Sequence, residues 1–196
     1  MGEASSKSTE KRSFARELFD YVEIFVIAAC IVLSLYSFVT RLCKVSGASM
    51  DTTLADGQML VVSNIGYEPE YGDIIVFHQT SDIPALNEAI VKRVIATEGQ
   101  TVDIDFNTWT VTVTDTDGTA RVLNEDYMYL DVGYATRRAE YDFPVTVPEG
   151  KVFVMGDNRN NSLDSRSNYI GFVDTRRILG KAIFRLTPFD KIGKVG

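Results

Sequence analysis

The stretch "WTVTVTDTDGTA", residues 109–120, decides the fold class. Val111 and Val113 alternate with Thr110, Thr112 and Thr114. Side chains alternate faces along a strand, so one face of this segment is apolar and the other wet. The Asp117-Gly118 pair that follows is a hairpin-turn signal.

Runs of the same kind recur on both sides, bounded by turn residues. Strands are expected at residues 59–62, 74–77, 89–95, 101–104, 108–114, 121–124, 151–155 and 181–186. "VPEGK" (147–151) reads as another turn, and long helical periodicity is absent after Leu42. The pattern predicts a mainly β domain over residues 43–196, built as two antiparallel sheets or a partly closed barrel. Residues 123–145 are tyrosine-rich and irregular and read as an insertion over one face. "SLDSRSNYIGF" (162–172) is expected to open with a short helical turn.

The N-terminal part differs in character. Residues 1–18 are polar and read as a disordered cytoplasmic tail. Residues 19–42, "FDYVEIFVIAACIVLSLYSFVTRL", approach the ~20 apolar residues that span a bilayer. Tyr21, Tyr36 and Phe38 suit the interfacial belts, and Lys7, Lys11, Arg12 and Arg16 precede the segment. The expectation is one transmembrane helix in the cell membrane, with a cytoplasmic N-terminus and an extracytoplasmic body. Three other readings compete. Ser46-Gly47-Ala48 mimics a signal-peptide cleavage site, "IAAC" (27–30) is similar to a lipid-attachment box, and a buried core helix is the bland alternative.

Composition narrows the function classes. Five basic and five acidic residues precede Cys43, so the rest carries the whole net charge of −7. An acidic body argues against nucleic acid as a partner. His78 is the only histidine, and Cys30 and Cys43 are the only cysteines. A zinc site is therefore not expected, nor is any metal or cofactor. A Ser-His-Asp triad would have to use His78, which more often would be plain strand-end surface.

Two segments remain with chemistry in them. "KVSGASMDTTLADG" (44–57) crowds small residues around Ser49, as a reactive serine needs when a substrate backbone must approach closely. "NEAIVKRVIAT" (87–97) puts Lys92 on a face with Ile90, Val94 and Ala96, and Arg93 on a face with Val91 and Ile95. If one charge faces water, the other is pushed toward the core. Either this is an edge strand with two snorkelling side chains, or one charge serves chemistry. A free lysine titrates near ~10.4, and burial among apolar walls favours its neutral form. A neutral Lys92 can take a proton from Ser49.

Four segments then line up: "SGASM…TL", "GDIIVF", "VKRVIA" and "GDNRNNSLDSR". In order and approximate spacing they resemble the four sequence boxes of bacterial type I signal peptidases, and the N-terminal anchor adds to the likeness. The resemblance implies a membrane-anchored β-fold endopeptidase that removes signal peptides from exported preproteins after an Ala-x-Ala pattern. By motif position it implies Ser49 as nucleophile and Lys92 as general base. Ser162 would hold the lysine amine. Asp164 and Arg166 would brace the site as an ion pair, with Asp157 and Arg159 in the same loop. The Ser49 N–H would supply part of an oxyanion hole. Val45, Met50, Leu54, Val76 and Val91 resemble the positions that line shallow pockets for the −1 and −3 side chains.

Three departures from the family pattern stand out. Thr52 replaces a proline of the first box, "KRVIATEGQ" replaces "KRVIGLPGD", and Gly47 stands where some members carry a second oxyanion hydroxyl. Ser46, one residue earlier, is the candidate substitute. The rival reading is a non-catalytic or specialised relative that binds or processes pilin-type subunits.

Overall fold

The computed structural model describes residues 14–79, 89–130 and 139–195. The chain divides into a helical unit ending at Val39 and a second unit from Thr40 onward.

The first unit is helix α1, Phe14–Val39. It starts earlier than the sequence suggested, so residues 14–18 are helical while residues 1–13 of the expected tail lie outside the described residues. It also ends earlier. Thr40, Arg41 and Leu42 belong instead to strand β1, Thr40–Lys44, whose hydrogen bonds go to β2, Met59–Ser63. Among the described residues, no helix is long and apolar enough to cross a membrane.

The second unit is mainly β, as expected. Its remaining strands are β3 (Ile74–His78), β4 (Ala89–Thr97), β5 (Thr101–Asp105), β6 (Thr110–Thr114), β7 (Ala120–Val122), β8 (Val145–Thr146), β9 (Lys151–Met155), β10 (Val173–Asp174), β11 (Ile178–Arg185) and β12 (Gly193–Lys194). The larger sheet runs β1-β2-β11-β3-β4-β9-β10, with β12 paired to β11, and the smaller runs β7-β6-β5-β8. Every pairing between these strands is antiparallel. Among the described residues the path of the larger sheet ends at β1 and β10, so the unit is not a fully closed barrel.

Local chemistry explains the boundaries. β6 starts at Thr110 because Trp109 has φ 59, outside the strand region. β11 bulges at Gly180, where a Cβ would strike the Ser63 carbonyl. The two-residue strands β8, β10 and β12 are too short to carry a period-2 pattern. No helical turn opens at Ser162. The chain there runs through hydrogen-bonded turns, and the nearest helical turn is a 3-10 turn at Thr175–Arg177, capped by the Asp174 side chain.

Three apolar clusters hold the unit together. One joins the sheets, with Val102, Ile104, Val111 and Val113 from the smaller packed on Ile95, Phe153 and Met155 from the larger. The second contains Val45, Met50, Leu54, Leu60, Val62, Val76 and Val91, and the third Ile75, Phe77, Val94, Val154 and Ile178. β4 supplies residues to all three, so side chains projecting from it are held by the core on either face.

Candidate active site

β4 is central, flanked by β3 and β9. The edge-strand alternative for the Lys92 segment is therefore excluded. So is the idea that one of its two charges faces water, because Lys92 is 3% exposed and Arg93 4%. Alternation sends them to opposite faces, and each meets its own partner.

Lys92 Nζ donates to Ser49 Oγ at 2.8 Å and to the Val91 carbonyl at 2.9 Å. Ser49 is brought there by a segment anchored on both sides. Val45 bonds through N–H and C=O to Gln58 and Gly57, and Met50 and Leu54 are sunk in the second apolar cluster. Gly47 turns the chain at φ +85, and its N–H donates to Asp56 Oδ1 at 2.8 Å. That bond occupies the Gly47 N–H, and the neighbouring Ser46 is exposed.

Arg93 forms two parallel bonds to Asp157, Nε to Oδ1 at 2.9 Å and Nη2 to Oδ2 at 2.7 Å. Its Nη1 donates to the Gly72 carbonyl, and the guanidinium lies 3.9 Å from the Tyr127 ring centroid. Burial opposes its charge. The bonds and charge of Asp157 outweigh burial and hold the guanidinium more firmly protonated than usual. Thr53 Oγ1 also donates to Asp157, tying the serine segment to the same carboxylate.

The loop after β9 carries the other expected residues. Asp164 and Arg166 are paired by two bonds of 2.8 Å, and both are buried. Burial pushes the Asp164 carboxyl up, but the Arg166 charge and hydrogen bond and the Gly156 N–H hold it below its ordinary value. Arg159 is fully buried, donating from Nε to the Gly156 carbonyl and pairing with Glu125 through Nη1 and Nη2. Asp157, Arg159, Asp164 and Arg166 therefore form a buried ionic layer behind the serine.

Ser162 behaves differently from expectation. It is buried, yet its Oγ makes no hydrogen bond among the described residues, to Lys92 or otherwise. It packs against Gly156, where a Cβ would collide with that oxygen.

A cavity of about 350 Å³ opens over the pair, and its lining includes Val45, Met50, Ile90, Val91, Leu163 and Tyr169. Leu54 and Val76 do not line it. They are 0% and 1% exposed and lie in the core behind the lining residues. His78 is exposed at the end of β3. Among the described residues, no cluster of histidine, cysteine or carboxylate side chains could hold a metal.

The sequence reading assigned no individual role in this arrangement to Arg93, Glu125, Thr53 or Asn158. Arg93 was visible as the second charge of its strand. Glu125 gave no signal, because its partner lies 34 positions away.

A buried lysine bonded to a serine behind a shallow apolar cavity is an arrangement for serine-lysine hydrolysis. The family model for signal peptidase, peptidase S26, matches residues 18–187. The chain belongs to this family. Among signal peptidases it is 36% identical over 183 residues to a probable signal peptidase I-1 of Synechocystis, covering 89% of this chain and 85% of that one. It is 36% identical over 195 residues to a signal peptidase I of Bacillus licheniformis, covering 96% and 97%. A crystal structure of a signal peptidase I from Enterococcus faecalis aligns with a TM-score of 0.44 at 30% identity, covering 59% of this chain and 97% of that one.

Proposed function

We propose that the chain is a membrane-anchored serine endopeptidase that removes signal peptides from exported preproteins, with Ser49 as nucleophile and Lys92 as general base. The 2.8 Å contact between Lys92 Nζ and Ser49 Oγ carries the reading. A base must be within hydrogen-bond reach of the proton it removes. The Val91 carbonyl, 2.9 Å from Nζ, fixes the direction of the amine.

The steps follow from that contact. Ser49 Oγ attacks the scissile carbonyl carbon while its proton passes to Lys92 Nζ. The ammonium then protonates the leaving amine, and the mature protein departs. Water, deprotonated by the same amine, attacks the acyl-serine, and the ammonium returns that proton to Ser49 Oγ as the signal peptide leaves. Asp157, Arg159, Asp164 and Arg166 hold the loop, and Ser162 fills space beside Gly156. Val45, Met50 and Val91 leave a shallow apolar surface that suits alanine at −1 and −3, with Leu54 and Val76 backing it.

Anchoring rests on α1. Ile24, Phe25, Val26 and Ile27 are each more than half exposed. At 100° per residue, four such positions cover most of the helix circumference. This stretch of α1 is apolar around the helix, which suits a core or a bilayer. The charge pattern supports a cytoplasmic tail with residues 43–196 outside.

The test is incubation of the detergent-purified protein with an Ala-x-Ala preprotein, beside Ser49→Ala, reading the product N-terminus by mass spectrometry. Cleavage after the second alanine by the wild type alone is the expected result. No cleavage by a folded wild type would overturn the reading, and a pilin precursor would be the next substrate. Release of the protein from membranes by alkaline carbonate would overturn the anchor.

A further inference from the structure

We propose that Asn158 is a positioning residue that aims the Ser49 backbone N–H at the developing oxyanion; this rests on the reading of Ser49 as nucleophile. Asn158 is buried and grips the serine's backbone twice. Its Nδ2 donates to the Ala48 carbonyl at 3.1 Å, and its own N–H donates to the Ser49 carbonyl at 3.1 Å. One residue therefore fixes the peptide planes on both sides of Ser49. The Asp51 N–H also donates to the Ala48 carbonyl, at 3.2 Å. The Asn158 side chain is itself held, because Oδ1 accepts from the Asn161 N–H at 3.2 Å.

The consequence follows from peptide geometry. In a trans peptide, C=O and N–H point in opposite directions across one rigid plane. The Ala48 carbonyl points toward Asn158, so the Ser49 N–H points away from it. That N–H makes no hydrogen bond among the described residues. Ala48 and Ser49 both line the cavity, where a scissile carbonyl would sit. A bond to the carbonyl also polarises the unit and makes its N–H a stronger donor. Gly47, whose N–H is taken by Asp56, does not compete for the role. Oxyanion donors act by being fixed before the charge develops.

The experiment compares wild type, Asn158→Asp, Asn158→Ala and Ser49→Ala. Asn158→Asp keeps the size and the acceptor for Asn161 but sets an oxygen against the Ala48 carbonyl. Each is assayed for kcat, KM and binding of a substrate-like peptide aldehyde. There Ser49 Oγ bonds to the aldehyde carbon, the hydroxyl proton goes to Lys92, and the C=O pair moves onto the oxygen that the N–H must hold. The expected result is a fall in kcat of about 10–100-fold, KM within about twofold, and aldehyde affinity falling in step with kcat. Unchanged kcat, or aldehyde affinity that follows KM instead, overturns the proposal and leaves the nucleophile intact. Unfolding of both Asn158 variants at the assay temperature would also overturn it, by reducing Asn158 to a folding role. Cleavage by Ser49→Ala, or none by wild type, would instead remove the reading on which it rests.

Discussion

Arg93 and Asp157 are joined by parallel bonds of 2.9 and 2.7 Å, 64 positions apart, and both are buried. Removing one member of such a pair leaves an uncompensated buried charge, at a cost of about 3–5 kcal/mol. Arg93→Ala should lower the melting temperature by at least roughly 6 °C for a domain of this size. A circular-dichroism melt matching the wild type would show that the pair contributes no net stability.

On the proposed mechanism, Lys92 must shed a proton before it can accept one from Ser49. The rate should climb as the pH is raised from about 6 to about 9, and a flat profile would count against an amine base. Lys92→Arg should give no measurable turnover, because guanidinium stays protonated. Cleavage by that variant would remove Lys92 from the mechanism.

Gly156 has no room for a side chain. A Cβ there would collide with Ser162 Oγ and the Ser49 carbonyl. Gly156→Ala should displace the serine segment and cut kcat/KM by about 10²-fold, since misplacement by an ångström can cost that much. Full activity would mean that the segment relaxes freely around a methyl group.

Asp164 titrates below its ordinary value because Arg166 and the Gly156 N–H outweigh the opposing effect of burial. A carboxyl depressed in the folded state stabilises fully above its unfolded value, about 3.9, and loses that contribution as the pH falls through the folded one. The stability gap between wild type and Asp164→Asn should therefore be wide at neutral pH and narrow in strong acid. Urea midpoints at a series of pH values would test this, and a gap independent of pH would contradict it.

Much of the site was legible because it is local or periodic. Lys92 stood out by interrupting an apolar strand, and Ser49 by its small neighbours. The pairing of the two rested on chemical elimination and on family resemblance. What escaped was set by distance along the chain. Glu125 reaches Arg159 through space, and nothing local to Glu125 announces it. Leu54 and Val76 share the apolar character of the lining residues, and only packing separates lining from backing. The position of Ser162 likewise depends on how closely two backbones approach. The fold followed the same division: long alternating strands were visible, and two-residue strands were not.

Lys92 and Arg93 are adjacent, yet their side chains serve opposite sides of one sheet. A strand paired one residue out of step exchanges its two faces. In β4 such a slip would bring the amine against the Asp157 side and the guanidinium against Ser49. The guanidinium would then be sealed away from its carboxylate and the serine would lose its amine, while every apolar neighbour would be turned over with them. The doublet thus works as a registration mark for β4: a chain that aligns it wrongly is penalised during folding, before any substrate is met.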